Sequence, residues 1–200
     1  MIPVIELAKF LRFSLGDMQG INISDEEIIE AINQSARQLY ERFSEGYVYA
    51  GVKRVPQIYI DPDGETDGQS IPVYELPPDF IRVHQITGEF NGISSVILSP
   101  ASRSPVIEGE YRIVGMTLYA PKGVYSVEYY YHPARIETLE DDLDVPETMR
   151  PYIEKIALAV YKHETEKEEY LIERAVQLYS MREISHIEDI GPVQILGGAV

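Results

Sequence analysis

The sequence has no cysteine and no tryptophan, and only 17 Lys and Arg stand against 33 Asp and Glu in 200 residues. Each shortage excludes something. Without cysteine there is no disulfide, no zinc–thiolate site and no cysteine nucleophile, which fits a reducing cytoplasm. The basic residues are few and spread thinly, and the net charge is −16. A grip on a phosphate backbone needs clustered Lys and Arg, so specific DNA or RNA binding is not expected. No apolar run approaches about 18 residues, so no membrane span is expected. The start Met1-Ile2-Pro3-Val4 lacks the basic region and cleavage signature of a signal peptide. The four histidines, His84, His132, His163 and His186, are scattered without His-x-x-x-His spacing. Neither a Gly-x-Ser-x-Gly elbow nor a P-loop occurs. No metal and no cofactor is expected.

What is present reads as an α+β chain. Hydrophobic content of 44% suffices for a core, and the length fits one domain, or one domain with a sizeable insertion. Val4, Leu7, Ala8, Leu11 and Leu15 recur at helical spacing, with Gly16 as a stop. After a loop at 16–23, Ser24 and Glu27 form a capping box that starts a second helix. Its Ile28, Ile32, Ala36, Leu39 and Phe43 share a face, and Gly46 ends it. From 47 to 135 helical periodicity gives way to Pro, Gly and β-branched residues. Strands are expected at 53–59, 71–76, 80–89, 95–98, 110–114, 116–119 and 124–131, a spacing that suits a small antiparallel sandwich or barrel. Pro56 and Pro72 would confine the first two to edges.

The chain is organised around 124–181. Its opening strand alternates Tyr125, Val127, Tyr129 and Tyr131 on one face with Ser126, Glu128 and Tyr130 on the other. The second face is the more polar, so the first is the expected core face. Pro133 ends the strand, and Pro146 and Pro151 mark a helix start. Tyr152, Ile156, Ala159, Val160 and His163 recur on one face, and Thr165 with Glu168 reads as a second capping box. Two helices are expected, 149–163 and 166–183, the second carrying Leu171, Ala175, Leu178 and Arg182. A single long helix competes, since no glycine marks a break. The whole divides into a helical core of about four helices (1–46 and 136–183), a β-rich insertion (47–135) and an extended C-terminal tail (184–200).

Three segments invite chemistry. The turn at 61–68 suggests calcium but fails the EF-hand test: its sixth position is Thr66, not Gly, and its twelfth is Pro72, not Glu. The acidic linker at 137–144 offers Glu137, Glu140 and Asp141 as paired carboxylates for glycoside hydrolysis, which needs one acid buried and raised in pKa. A solvated connector that touches a neighbour's basic groups is the competing use of Glu140 and Asp141. Fifteen tyrosines suit interfaces as well as cores. Tyr125, Tyr129 and Tyr131 serve either purpose, and Tyr130, pointing the other way, is the better interface candidate.

The order of pieces resembles the head-to-tail adaptor proteins of tailed phages, ring-forming neck proteins below the portal. The resemblance covers 24–183. It is carried by Glu75-Leu76-Pro77-Pro78-Asp79-Phe80-Ile81-Arg82-Val83 ahead of the β-region and by the turn Tyr119-Ala120-Pro121-Lys122-Gly123. Then come the strand Val127-Glu128-Tyr129-Tyr130-Tyr131, its end at His132-Pro133-Ala134, the acidic linker and the Val145-Pro146-Glu147 helix start. It implies a structural protein without catalysis, made in the host cytoplasm and placed in the virion neck. It implies a ring of about twelve copies, bound to the portal above and to a tail tube or nozzle protein below. Double-stranded DNA would pass through the channel without specific binding, past an acidic surface whose other use is plain solubility. The tail would reach the portal through Ile190, Val193, Ile195, Leu196 and Val200. The alternatives are a virion-associated cell-wall glycosidase and a monomeric binding module.

Overall fold

The computed structural model describes residues 1–60, 73–90, 93–101, 106 and 109–188. The turn at 61–68 and the apolar end at 190–200 lie outside the described residues. The chain opens with β1 (Ile2–Pro3), α1 (Val4–Leu15) and α2 (Asp25–Glu45). A 3₁₀ turn (Tyr49–Gly51) leads into β2 (Val52–Ile60), β3 (Val73–Glu75), β4 (Phe80–Phe90) and β5 (Ile93–Ile97). Next come β6 (Ser99–Pro100), β7 (Glu110–Val114), β8 (Thr117–Tyr119), β9 (Gly123–Tyr131) and β10 (Asp142–Leu143). A second 3₁₀ turn (Glu147–Met149) precedes α3 (Arg150–Tyr161) and α4 (Thr165–Glu188). Among the described residues the chain is mixed α+β, with four helices and with antiparallel and mixed sheets.

The helix ends are set by backbone chemistry that sequence reading caught at one end more often than at the other. Ser24 and Glu27 do form the reciprocal capping box that starts α2. All three helix ends that follow α1, α2 and α3 use a left-handed residue and a Schellman pair of hydrogen bonds. After α1 the left-handed residue is Gly16, as glycine's freedom allows. After α2 it is not Gly46 but Tyr47, at φ 57°, with Tyr47 N–H on the Ser44 carbonyl and Val48 N–H on the Phe43 carbonyl. After α3 it is His163, at φ 55°, with His163 N–H on Val160 and Glu164 N–H on Ala159. A non-glycine residue therefore makes the break between the two expected helices. Glu164, rather than Thr165, is the N-cap of α4, since its carbonyl accepts from Glu168 N–H at 3.0 Å.

The stripe of α3 keeps the expected Ile156, Ala159 and Val160, and that of α4 turns by one residue about the expected Ala175. In α3 the buried residues are Ile153, Ile156, Ala157, Ala159 and Val160, while Tyr152 is half-buried and His163 exposed. In α4 they are Ile172, Ala175 and Tyr179. Aromatic contact decides the second case: Tyr179 meets the Phe43 ring at 5.6 Å and the Tyr152 ring at 6.1 Å. α4 also runs five residues past the expected stop at 183. The stripes of α1 and α2 are as expected, and α2 packs on α1, α3 and α4.

The α1–α2 loop is built on Asp17. Its carboxylate accepts the N–H groups of Ile21, Asn22 and Ile23 at 3.0 to 3.2 Å and an Arg12 guanidinium N–H at 3.0 Å. Arg12 also donates to the Ile23 carbonyl and to Asp25. Gly20, at φ 65°, lets the Arg12 guanidinium come so close that a Cβ would lie 3.0 Å from it.

The strands form two four-stranded sheets, ordered β2-β9-β4-β5 and β3-β8-β7-β6, and a short β1-β10 pair. Each larger sheet keeps two edges, so neither is a closed barrel. Pro56 lies in edge strand β2, where the register slips between Val55 and Ile58, as a residue without an N–H requires. β6 pairs with β7 in parallel. β1 ties the N-terminus to the acidic linker, pairing Ile2 with Leu143, and Val4 N–H donates to the Asp141 carbonyl at 3.0 Å. Two-residue strands leave no periodicity to read. One continuous buried cluster runs from Leu7, Ile32 and Leu39 through Tyr131 and Val127 to Ile86 and Leu118.

Because an L-residue in the left-handed region costs roughly 1–2 kcal/mol and glycine returns part of that as unfolded-state entropy, His163→Gly should raise stability. We expect a gain of about 0.5–1 kcal/mol in urea unfolding. A loss would show that the His163 side chain, and not its backbone, sets the break.

Candidate functional site

A polar centre lies where β2, the start of β4, β9, the linker and α2 converge. Lys53 is in β2 and faces the core side of the sheet, opposite Tyr129. Its ammonium sits 2.7 Å from Asp144 and 3.3 Å from Asp79, and 3.9 Å above the Tyr131 ring. Tyr129 donates its hydroxyl hydrogen to Asp79 at 3.0 Å. Tyr131 donates to the Asp144 carbonyl at 3.1 Å, and its oxygen is 3.4 Å from the Tyr40 hydroxyl. Asp79 is held from the backbone side too, its carbonyl accepting His132 N–H at 2.8 Å. One cation, two carboxylates and three phenols thus join five segments far apart in sequence.

The electrostatics follow from this packing. Burial alone would strip the charge from Lys53, but the hydrogen-bonded carboxylates of Asp144 and Asp79 outweigh it and hold its pKa above the ordinary lysine range. Burial pushes the phenols of Tyr40, Tyr129 and Tyr131 up, with the Asp79 carboxylate adding to the effect at Tyr129. The centre is therefore an ammonium with neutral phenols at any pH near 7.

Burial corrects the tyrosine expectation. Tyr125, Tyr129, Tyr130 and Tyr131 are all buried within the single chain, so none of them offers a face to a partner. For Tyr125, Tyr129 and Tyr131 the alternation places the core face correctly. Tyr130 does point the other way, but that side is covered. Its ring meets Gly51 of the 3₁₀ turn, and its hydroxyl is 3.2 Å from His84 Nδ1. The exposed tyrosines are instead Tyr47, Tyr49, Tyr59 and Tyr170.

The acidic linker is a folded turn. The Asp141 carboxylate accepts the N–H groups of Glu137 and Thr138, both at 2.8 Å. These bonds hold its pKa below the ordinary aspartate range, opposite to what a general acid needs. Glu140 is exposed, as is Glu137. With Pro3, Ile5, Asp25, Glu26 and Ile29 the linker lines an open cleft of about 740 Å³. Burial does raise the Glu154 carboxyl, but Arg150 lies 3.4 Å away and also binds Glu6 and Glu147. Among the described residues no group of three or more His, Asp or Glu is arranged to hold a metal, and no helix is long and apolar enough to cross a membrane. The tail residues Ile190, Val193, Ile195, Leu196 and Val200 lie outside the described residues.

Sequence reasoning missed Lys53, Asp79 and Tyr40. The available signal was a lysine at an inward position between Val52 and Val55, but nothing in the sequence says which carboxylates it meets. No protein-family model and no curated protein matches the chain.

The sign of the pH dependence is fixed by the directions above. Lys53 and the three phenols all bind protons more tightly when folded. Their contribution is complete below about pH 10, the ordinary range of both side chains, and is lost as pH rises through the raised folded values. The melting temperature should therefore fall above about pH 10. Lys53→Met, which leaves Asp79 and Asp144 facing each other, should cost about 1–3 kcal/mol at pH 7, between the values for exposed and for buried pairs. Urea unfolding of the variant checks this, and an unchanged midpoint would show that the centre contributes nothing.

Proposed function

We propose that the chain is a structural head-to-tail adaptor of a tailed phage, a subunit of a ring that binds the portal, lengthens the DNA channel and attaches the tail. The observation that carries this reading is where large apolar side chains are left in solvent. Phe13, Met18 and Ile21 stand 69–74% exposed around the α1–α2 loop, ahead of α2. Tyr47 and Tyr49 stand 67% and 51% exposed just after it. Two separate patches at opposite ends of one helix are what a heterologous ring contact needs, because each subunit meets two neighbours with different surfaces. In this reading the two larger sheets pack as a sandwich inserted into the helical bundle and face the tail tube or nozzle. The ring has about twelve copies, as closed cyclic symmetry allows. DNA slides past an acidic wall without specific binding, and the particle's neck is where the protein resides. The order of strand, acidic turn and helix start, which the resemblance rests on, is the order of elements in the fold.

Light scattering of the purified chain, alone and with its cognate portal, tests the reading. We expect a monomer alone and a ring on the portal. A chain that stays monomeric with excess portal contradicts it. The portal contact is assigned to Ile190, Val193, Ile195, Leu196 and Val200. Deleting 189–200, which keeps all of α4, should leave the melting temperature within about 2 °C and weaken portal binding at least tenfold, roughly 1.4 kcal/mol. Unfolding of the truncated chain would instead assign the segment to the core.

A further inference from the structure

The face of the β2-β9-β4-β5 sheet away from the core carries an arginine whose surroundings are unusual. β4 has two bulges, at Ile81 and His84, where its register against β9 slips. They set Arg82 opposite Tyr130 and leave His84 beside the same ring, on the face away from the core. The Arg82 guanidinium stacks 4.0 Å from the Tyr47 ring and lies 5.2 Å from the Tyr130 ring. His84 fills the space between Tyr130 and Tyr49, with ring centroids at 5.5 and 5.4 Å. Nε and Nη2 of Arg82 are buried, and among the described residues they have no hydrogen-bond partner. Buried polar groups are almost always paired. These two N–H groups lie side by side, the fork that grips a carboxylate through two parallel bonds. Stacking on aromatic rings fixes the fork in advance. Tyr47, which stacks on it, is mostly exposed, and exposed Tyr beside Arg is the composition of binding hot spots.

The same chain carries a matching surface. Glu137 and Glu140 are exposed on the acidic turn, and among the described residues neither carboxylate forms an ion pair. That turn shares a cleft with Asp25 and Glu26 at the start of α2, whereas Tyr47 follows the end of α2. The helix has 21 residues, so roughly 30 Å separates the two surfaces. One copy cannot close the pair on itself. We propose that the Tyr47–Tyr49–Arg82 patch of one copy binds a carboxylate of the 137–140 turn of the next, with Arg82 as the anchor. The occupant is a second copy because the charges are complementary: among the described residues the acidic chain has carboxylates without an ion pair at one end of α2 and, near the other, a guanidinium whose Nε and Nη2 have no hydrogen-bond partner. The inference rests on the ring reading and names the contact that closes the ring.

The cysteine-free sequence makes the contact testable by disulfide trapping. Glu45→Cys stands two residues before Tyr47 and Asp142→Cys two residues after Glu140, both at exposed positions. Cysteines this far apart cannot bridge within one chain. Mild oxidation of the double variant, in the presence of portal, should give a ladder of covalent species beyond dimer, while each single variant stops at dimer. Adding Arg82→Gln should abolish most of the ladder. Where Arg82→Gln disturbs folding by circular dichroism, Glu137→Gln with Glu140→Gln removes the partner charges from the other end and should have the same effect. No ladder, or a ladder that these substitutions leave intact, overturns the contact when wild-type scattering shows a ring. A wild type that forms no ring overturns the ring reading itself, and the contact falls with it.

Discussion

A single half-buried ammonium decides how the two halves of this protein are joined. Lys53 leaves β2 toward the core and finds Asp79 ahead of β4, Asp144 ahead of α3, and the Tyr131 ring between them. Tyr40 of α2 closes the group from the helical side. Hydrophobic contact alone would let a bundle and a pair of sheets slide, because apolar attraction has no direction. The fixed geometry of charge-assisted bonds adds direction, so the sheets hold one orientation on the helices. For a protein whose proposed work is to set neighbouring subunits at one angle, that rigidity is the relevant property.

The surface is consistent with this interior. Carboxylates that could have served chemistry are used to hold backbone: Asp17 closes the α1–α2 loop and Asp141 the linker turn, and both are held below the ordinary carboxylate range. For Asp17 burial opposes the shift, and the N–H groups of Asn22, Ile21 and Ile23, with Arg12, outweigh it. Groups lowered in this way stabilise the fold above about pH 4 and lose that effect as pH falls through their folded values. Together these groups contribute their full stabilisation between about pH 4 and about pH 10.

Much of the fold could be read directly from the residues. The alternation in β9, the α1 and α2 stripes, the Ser24–Glu27 box and Pro56 at a sheet edge each depend on local rules, and each is found in place. The failures are of another kind. Tyr47 and His163 occupy left-handed positions that composition assigns to glycine. Tyr130 was expected outside because its strand face is the polar one, yet a 3₁₀ turn and a bulged β4 cover it. The Lys53 centre and the Arg82 stack join residues tens of positions apart, and no window of sequence carries that pairing. The charge balance pointed away from nucleic-acid binding but was silent on which arginine would, among the described residues, keep buried N–H groups without a hydrogen-bond partner.

Hydrogen exchange of the chain alone and in its portal-bound assembly, followed by peptide, addresses the account most directly. Segments around Lys53, Asp79 and Tyr131 should be equally protected in both states, because they hold the subunit rigid before and after assembly. Protection at 47–51 and at 137–141 should rise together on assembly, since each subunit uses both ends of α2 toward different neighbours. Protection unchanged at both ends of α2 in an assembled particle would contradict the account, as would free exchange around Lys53 in the isolated chain.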